Sequence, residues 1–110
     1  MTISDRVRHA ADDVVLTADA TIFREGDHQA KMYVVLEGAV DIFVRDRRIA
    51  TIGAGGIIGE LSMLMEQPRS ATAIARTDCR LAPIDKQQFT FLVQQTPYFA
   101  NQLMDLLKQR

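Results

Sequence analysis

The sequence has one cysteine, no tryptophan and two histidines in 110 residues. A lone Cys79 excludes an intramolecular disulfide framework and any zinc or iron–sulfur centre held by cysteines of one chain. His9 and His28 share no metal-ligand spacing and read as exposed polar residues. A cationic excess is also missing, with 13 Lys and Arg against 14 Asp and Glu for a net charge of −1. Counterion release from phosphates needs a basic face, so no nucleic-acid partner is expected for this chain alone. No apolar run approaches the length that crosses a membrane, and MTISDRVRHAADD is too charged for a signal peptide. The expectation is a reduced, cytoplasmic domain with no membrane contact.

Catalytic patterns are missing as well. No serine stands in a Gly-x-Ser-x-Gly elbow, and two isolated histidines offer no base for a nucleophile. Gly53–Gly59 (GAGGIIG) has the wrong spacing for a dinucleotide fingerprint and lacks the Gly-Lys-Ser/Thr ending of a P-loop. A phosphodiesterase would need arranged metal ligands, and none are apparent. The chain reads as a binder with no cofactor, not an enzyme.

What is present is a folded-domain composition, 47% apolar and 25% charged, at a length sufficient for one core. All the glycines fall between Gly26 and Gly59, marking short elements joined by tight turns. Strand-like runs occupy 14–27 around an Ala-Asp-Ala turn, 32–38, 40–46, 47–53, 71–77 and 80–85. Glu37-Gly38 reads as the hinge of a hairpin, Arg45, Arg47 and Arg48 as a solvated turn, and Pro83 as a sign of an edge strand or a bend. Met63, Leu64 and Met65 read as core.

From Asp85 the period changes. Phe89, Leu92 and Val93 share one helical face behind Asp85 as N-cap, and Thr96-Pro97 opens a second helix carrying Phe99, Leu103, Leu106 and Leu107. The expected fold is mainly β with flanking helices: an antiparallel eight-stranded β-roll of the jelly-roll type followed by two C-terminal helices. One domain spans 1–110, with an N-terminal helical segment (1–13), the roll (14–85) and the terminal helices (86–110).

Residues 59–73, GELSMLMEQPRSATA, place a carboxylate beside a glycine and an arginine after a proline at the far end of a loop. The first amides of a helical turn have no internal partners, and a glycine there admits an anion closely. Arg69 offers a planar fork for phosphate or carboxylate oxygens. Glu60 accepts from hydroxyls or pairs with Arg69; taken alone, the two residues are as readily a surface ion pair of little energetic value. Together they suit a sugar phosphate.

Gly59-Glu60-Leu61-Ser62, then Pro68-Arg69-Ser70-Ala71-Thr72, resembles the phosphate-binding cassette of the cyclic nucleotide-binding domain family. Glu25-Gly26-Asp27, YVVLEGAV (33–40) and IGAGGIIGE (52–60) support the resemblance. It implies that Glu60 accepts a hydrogen bond from the ribose 2′-hydroxyl and that Arg69 contacts the exocyclic oxygens of the cyclic phosphate. It assigns backbone donors to Gly59, Leu61 and Ala71, a phosphate or purine contact to Ser70, and an apolar wall beside the base to Ile49 and Ile52. Arg110 falls where some bacterial members carry an arginine near the glutamate. The implied ligand is cyclic AMP (cAMP), with cyclic GMP (cGMP) as the alternative, and binding is relayed through the C-terminal helices to a protein partner or a homodimer. Two rivals stay open: a ligand-independent interaction or dimerisation module on the same roll, and a cupin-type enzyme, for which the clustered histidines are lacking. Relatives that bind DNA continue into a helix-turn-helix, which this sequence does not contain.

Overall fold

The computed structural model describes residues 13–95. Eight strands run β1 (Val14–Leu16), β2 (Thr21–Phe23), β3 (Lys31–Glu37), β4 (Ala39–Val44), β5 (Arg47–Gly53), β6 (Ile57–Ile58), β7 (Thr72–Ala75) and β8 (Cys79–Asp85). Helix α1 (Glu60–Leu64) interrupts them between β6 and β7, and α2 (Lys86–Gln95) follows β8. The strands form two four-stranded antiparallel sheets, ordered β1-β8-β3-β6 and β2-β7-β4-β5. This is the expected roll. The N-terminal helical segment, the second terminal helix from Pro97 and Arg110 lie outside the described residues.

Period-two alternation explains the two cores. Along β3, Met32, Val34 and Leu36 join one buried cluster with Ile57, Met63, Ala82, Ile84 and Leu92. The intervening Tyr33 and Val35 join the other, with Phe23, Val40, Ile58, Ala73, Ala75, Cys79 and Leu81. Successive side chains of a strand point to opposite faces, so β3 is covered on both sides and its sequence reads as an unbroken apolar run. The second cluster lies where the sheets meet; the first lies under the helices. Phe89 and Val93 pack on it from α2, which starts, as expected, behind Asp85. There Gln88 N–H donates to Asp85 Oδ1 at 2.8 Å and Asp85 N–H to Gln88 Oε1 at 2.9 Å, a reciprocal cap.

Several local expectations are corrected. Glu37-Gly38 is not a hairpin hinge, because β3 and β4 belong to different sheets. Gly38 (φ +90°) instead turns the chain from one sheet to the other, where a Cβ would strike the Asp78 carbonyl and Cys79 Sγ. The hairpin is β4–β5, closed at exposed Arg45-Asp46, with Arg45 at φ +53°. Strand β8 lies inside its sheet, so Pro83 does not mark an edge strand. It is tolerated because β1 pairs only with Cys79, Arg80 and Leu81, leaving Pro83 a neighbour on the β3 side alone. Of the Met63-Leu64-Met65 run only Met63 is buried; α1 ends there, and Leu64 and Met65 face outward.

Candidate functional site

The β4–β5 register passes from Ile42 opposite Ala50 to Phe43 opposite Arg48, which leaves Ile49 as the extra residue of a β-bulge. Bulges bend a strand and re-aim its side chains. Ile49, 58% exposed, and half-buried Ile52 line one wall of a cavity of about 440 Å³. Gly59, Glu60 and Leu61 line it from the start of α1, and Arg69, Ser70 and Ala71 from the segment entering β7. The volume falls within the range of small-molecule sites, about 300–1,000 Å³. Thus every described residue to which the resemblance assigns a ligand contact borders the same space.

Glu60 and Arg69 are not a surface pair. Glu60 is 1% exposed and Arg69 3%. Burying a charge costs free energy unless hydrogen bonds and opposite charge offset it, so both positions are expensive to maintain. Arg69 Nη1 donates to the Gly59 carbonyl at 2.9 Å, and its Cζ lies 4.2 Å from the centroid of the Phe23 ring. Nε and Nη2 are buried without an acceptor among the described residues. Burial pulls the Arg69 guanidinium below its ordinary pKa, while Tyr33, Asp27 and Glu60 pull it back up.

The main chain of Arg69 is held as firmly. Its N–H donates to the Asp27 carbonyl and its own carbonyl accepts from Gly26 N–H, each at 2.8 Å. Gly26 stands at φ +90°, and the Asp27 carboxylate closes the turn by accepting from Arg24 N–H at 2.9 Å. The Glu25-Gly26-Asp27 sequence therefore acts at a distance: it fixes the backbone of the arginine. Glu25 N–H adds a bond to Thr72 Oγ1 at 2.9 Å.

Gly59 caps α1 at φ +75° and ψ 13°. A Cβ there would stand 2.5 Å from Arg69 Nη1 and 3.2 Å from Phe23 Cε2. Buried Ser62 ties down the loop after α1, its Oγ lying 2.9 Å from the carbonyl oxygens of both Gln29 and Gln67. Phe23 and Ser62 carry structural consequences for the site that sequence reasoning missed. Ser62 had a local signal, a small polar residue inside an apolar run; Phe23 had only its place just before Glu25-Gly26-Asp27.

Among the described residues no group of three or more His, Cys, Asp or Glu is placed to hold a metal ion. None of their helices is long and apolar enough to cross a membrane.

The family model for the cyclic nucleotide-binding domain matches residues 13–96. The chain is 36% identical over 83 residues to the cAMP-dependent protein kinase regulatory subunit of Eremothecium gossypii, a match covering 76% of this chain and 18% of that protein. The catabolite activator protein of Thermus thermophilus superposes with a TM-score of 0.80 at 31% identity, over 90% of this chain and 49% of that one. A protein from a cyclic-GMP-dependent signalling pathway regulating bacterial phytopathogenesis superposes with a TM-score of 0.77 at 28% identity, over 96% of this chain and 89% of that one. The chain thus spans about a fifth of the kinase subunit and about half of the activator. With the roll, the cassette sequence and these matches in agreement, the chain belongs to the cyclic nucleotide-binding domain family.

Proposed function

We propose that this domain is a regulatory sensor for a cyclic purine nucleotide, with cAMP favoured over cGMP, and that it holds its ligand without cleaving it. The observation that carries this reading is the buried Arg69 bordering the cavity, with Nε and Nη2 lacking acceptors among the described residues. An unsatisfied buried donor costs about 1–3 kcal/mol, more when charged, and an anionic phosphate oxygen relieves that cost.

In this reading the exocyclic phosphate oxygens go to Arg69 and the ribose 2′-hydroxyl donates to the Glu60 carboxylate. Backbone N–H groups of Gly59, Leu61 and Ala71 surround the ring, Ser70 reaches the phosphate or the purine, and Ile49 and Ile52 flank the base. Arg110 is assigned to the neighbourhood of Glu60 by family resemblance. The preference for cAMP rests on Ser70, where several cGMP receptors of the family have threonine, and on the similarity to a cAMP-dependent kinase subunit. Ligand binding orders residues 59–72 and draws the terminal helices toward the roll, as far as its differential affinity for the two helix positions allows. Those helices then act on a protein partner or a second copy of the chain.

Parallel calorimetric and thermal-shift titrations with cAMP and cGMP test the proposal. Saturable one-site binding, tighter for cAMP, is expected. A protein that responds to neither nucleotide by either method is instead the ligand-independent interaction module.

A further inference from the structure

We propose that Phe23 is a positioning residue for nucleotide binding: its ring face holds the Arg69 guanidinium beside the cavity, so that the anion site exists before ligand arrives. The inference rests on the proposed function of Arg69 and extends it to a residue of β2.

Arg69 Cζ stands 4.2 Å from the Phe23 centroid, inside the range in which a cation is attracted by an aromatic face. Phe23 is itself fixed. It is 5% exposed, and its ring stacks on buried Tyr33 with centroids 6.3 Å apart and planes 25° from parallel. Gly59 completes the slot, since any side chain there would run into both the guanidinium and the ring. The geometry confines Arg69 between an aromatic face and a carbonyl acceptor.

A guanidinium with two unsatisfied nitrogens gains by swinging toward water. The aromatic face and the Gly59 carbonyl oppose that motion, and removing the face leaves, among the described residues, one hydrogen bond to do so. Ligand then has to recover the productive orientation at its own expense, which lowers affinity. Phe23→Leu keeps an apolar side chain of similar bulk but has no ring quadrupole. It is expected to weaken cAMP binding about thirtyfold, the change corresponding to a desolvated cation–π contact.

Truncating a buried ring also disturbs packing, so the deciding test keeps the ring. Mono-, di- and trifluorinated phenylalanine placed at position 23 drain the negative face stepwise at nearly constant size. Calorimetric cAMP titration of this series should show affinity falling with each fluorine, while thermal stability without ligand changes little by comparison. Equal affinity across the series, or a rise, overturns the positioning role and leaves Phe23 as core packing. If the unmodified chain binds neither cAMP nor cGMP, the reading of Arg69 fails first and this inference with it; if the unmodified chain binds and the series is flat, only the inference fails.

Discussion

The Gly59 carbonyl accepts a hydrogen bond from Arg69 Nη1 at 2.9 Å, and the Cβ that glycine lacks would stand 2.5 Å from that same nitrogen. One residue supplies the acceptor, the room and, at φ +75°, the turn into α1. No other residue type meets all three demands at low cost.

Gly59→Ala is therefore expected to destabilise the fold by about 1–3 kcal/mol, the cost of a non-glycine residue held in the left-handed region. It should also displace Arg69 and weaken cAMP binding more than tenfold. Denaturant unfolding and calorimetry on one preparation read both effects. Native stability together with native affinity would contradict the assigned geometry.

Arg69→Met separates binding from folding. Methionine keeps much of the volume and contact with Phe23 but removes a buried charge whose donors are incompletely satisfied. Stability is expected to stay within about 1 kcal/mol of the parent, or to rise, because burying that charge was costly. Nucleotide affinity should fall at least a hundredfold, roughly 2.7 kcal/mol. A variant that unfolds would show instead that Arg69 is structural.

Ser62→Ala removes a buried hydroxyl shared between the Gln29 and Gln67 carbonyls. The expected loss is about 1–2 kcal/mol. It should appear locally as faster amide hydrogen exchange around residues 59–68, with β3 and β8 still protected. Uniform loss of protection would indicate that this loop is not a separate unit.

Exposed Glu66 and Lys86 pair at 2.7 Å, joining the segment after α1 to the start of α2. The hydrogen bond and charge of Lys86 hold the Glu66 carboxyl below the usual carboxylate range. A lowered folded-state pKa means that the stabilising contribution is complete above the unfolded value, about pH 4.3, and fades as pH falls through the lower folded value. Glu66→Gln should thus lower stability slightly at neutral pH and not at all once the parent's Glu66 carboxyl is protonated in both the folded and the unfolded state. High salt should shrink the neutral-pH difference. Equal denaturation-midpoint differences at both pH extremes would rule the pair out as the source.

Much of this was legible because the local signals and the fold agree. Asp85 with Gln88 behaves as a helix cap, and the two-sided burial of β3 is written in its unbroken apolar run. Gly38 illustrates the limit: a glycine announces positive φ but not whether the chain turns back within a sheet or crosses to another. Residues 47–53 read as a strand, yet the bulge at Ile49 depends on the register with β4 and could not be read from one strand alone. At the site, Glu60 and Arg69 were legible through the cassette pattern around them, which resembles that of the family, whereas their burial was not. Phe23 meets Arg69 only through the pairing of β2 with β7, and no periodicity along the chain encodes that encounter.

The most direct measurement follows the side-chain Nε–H resonance of Arg69 by NMR during a cAMP titration, assigned by its loss in Arg69→Met. The resonance is expected to shift saturably, with the same midpoint as the calorimetric isotherm, as Nε gains a phosphate acceptor. Calorimetric binding that leaves this signal unmoved while resonances elsewhere shift would place the nucleotide away from Arg69 and contradict the account.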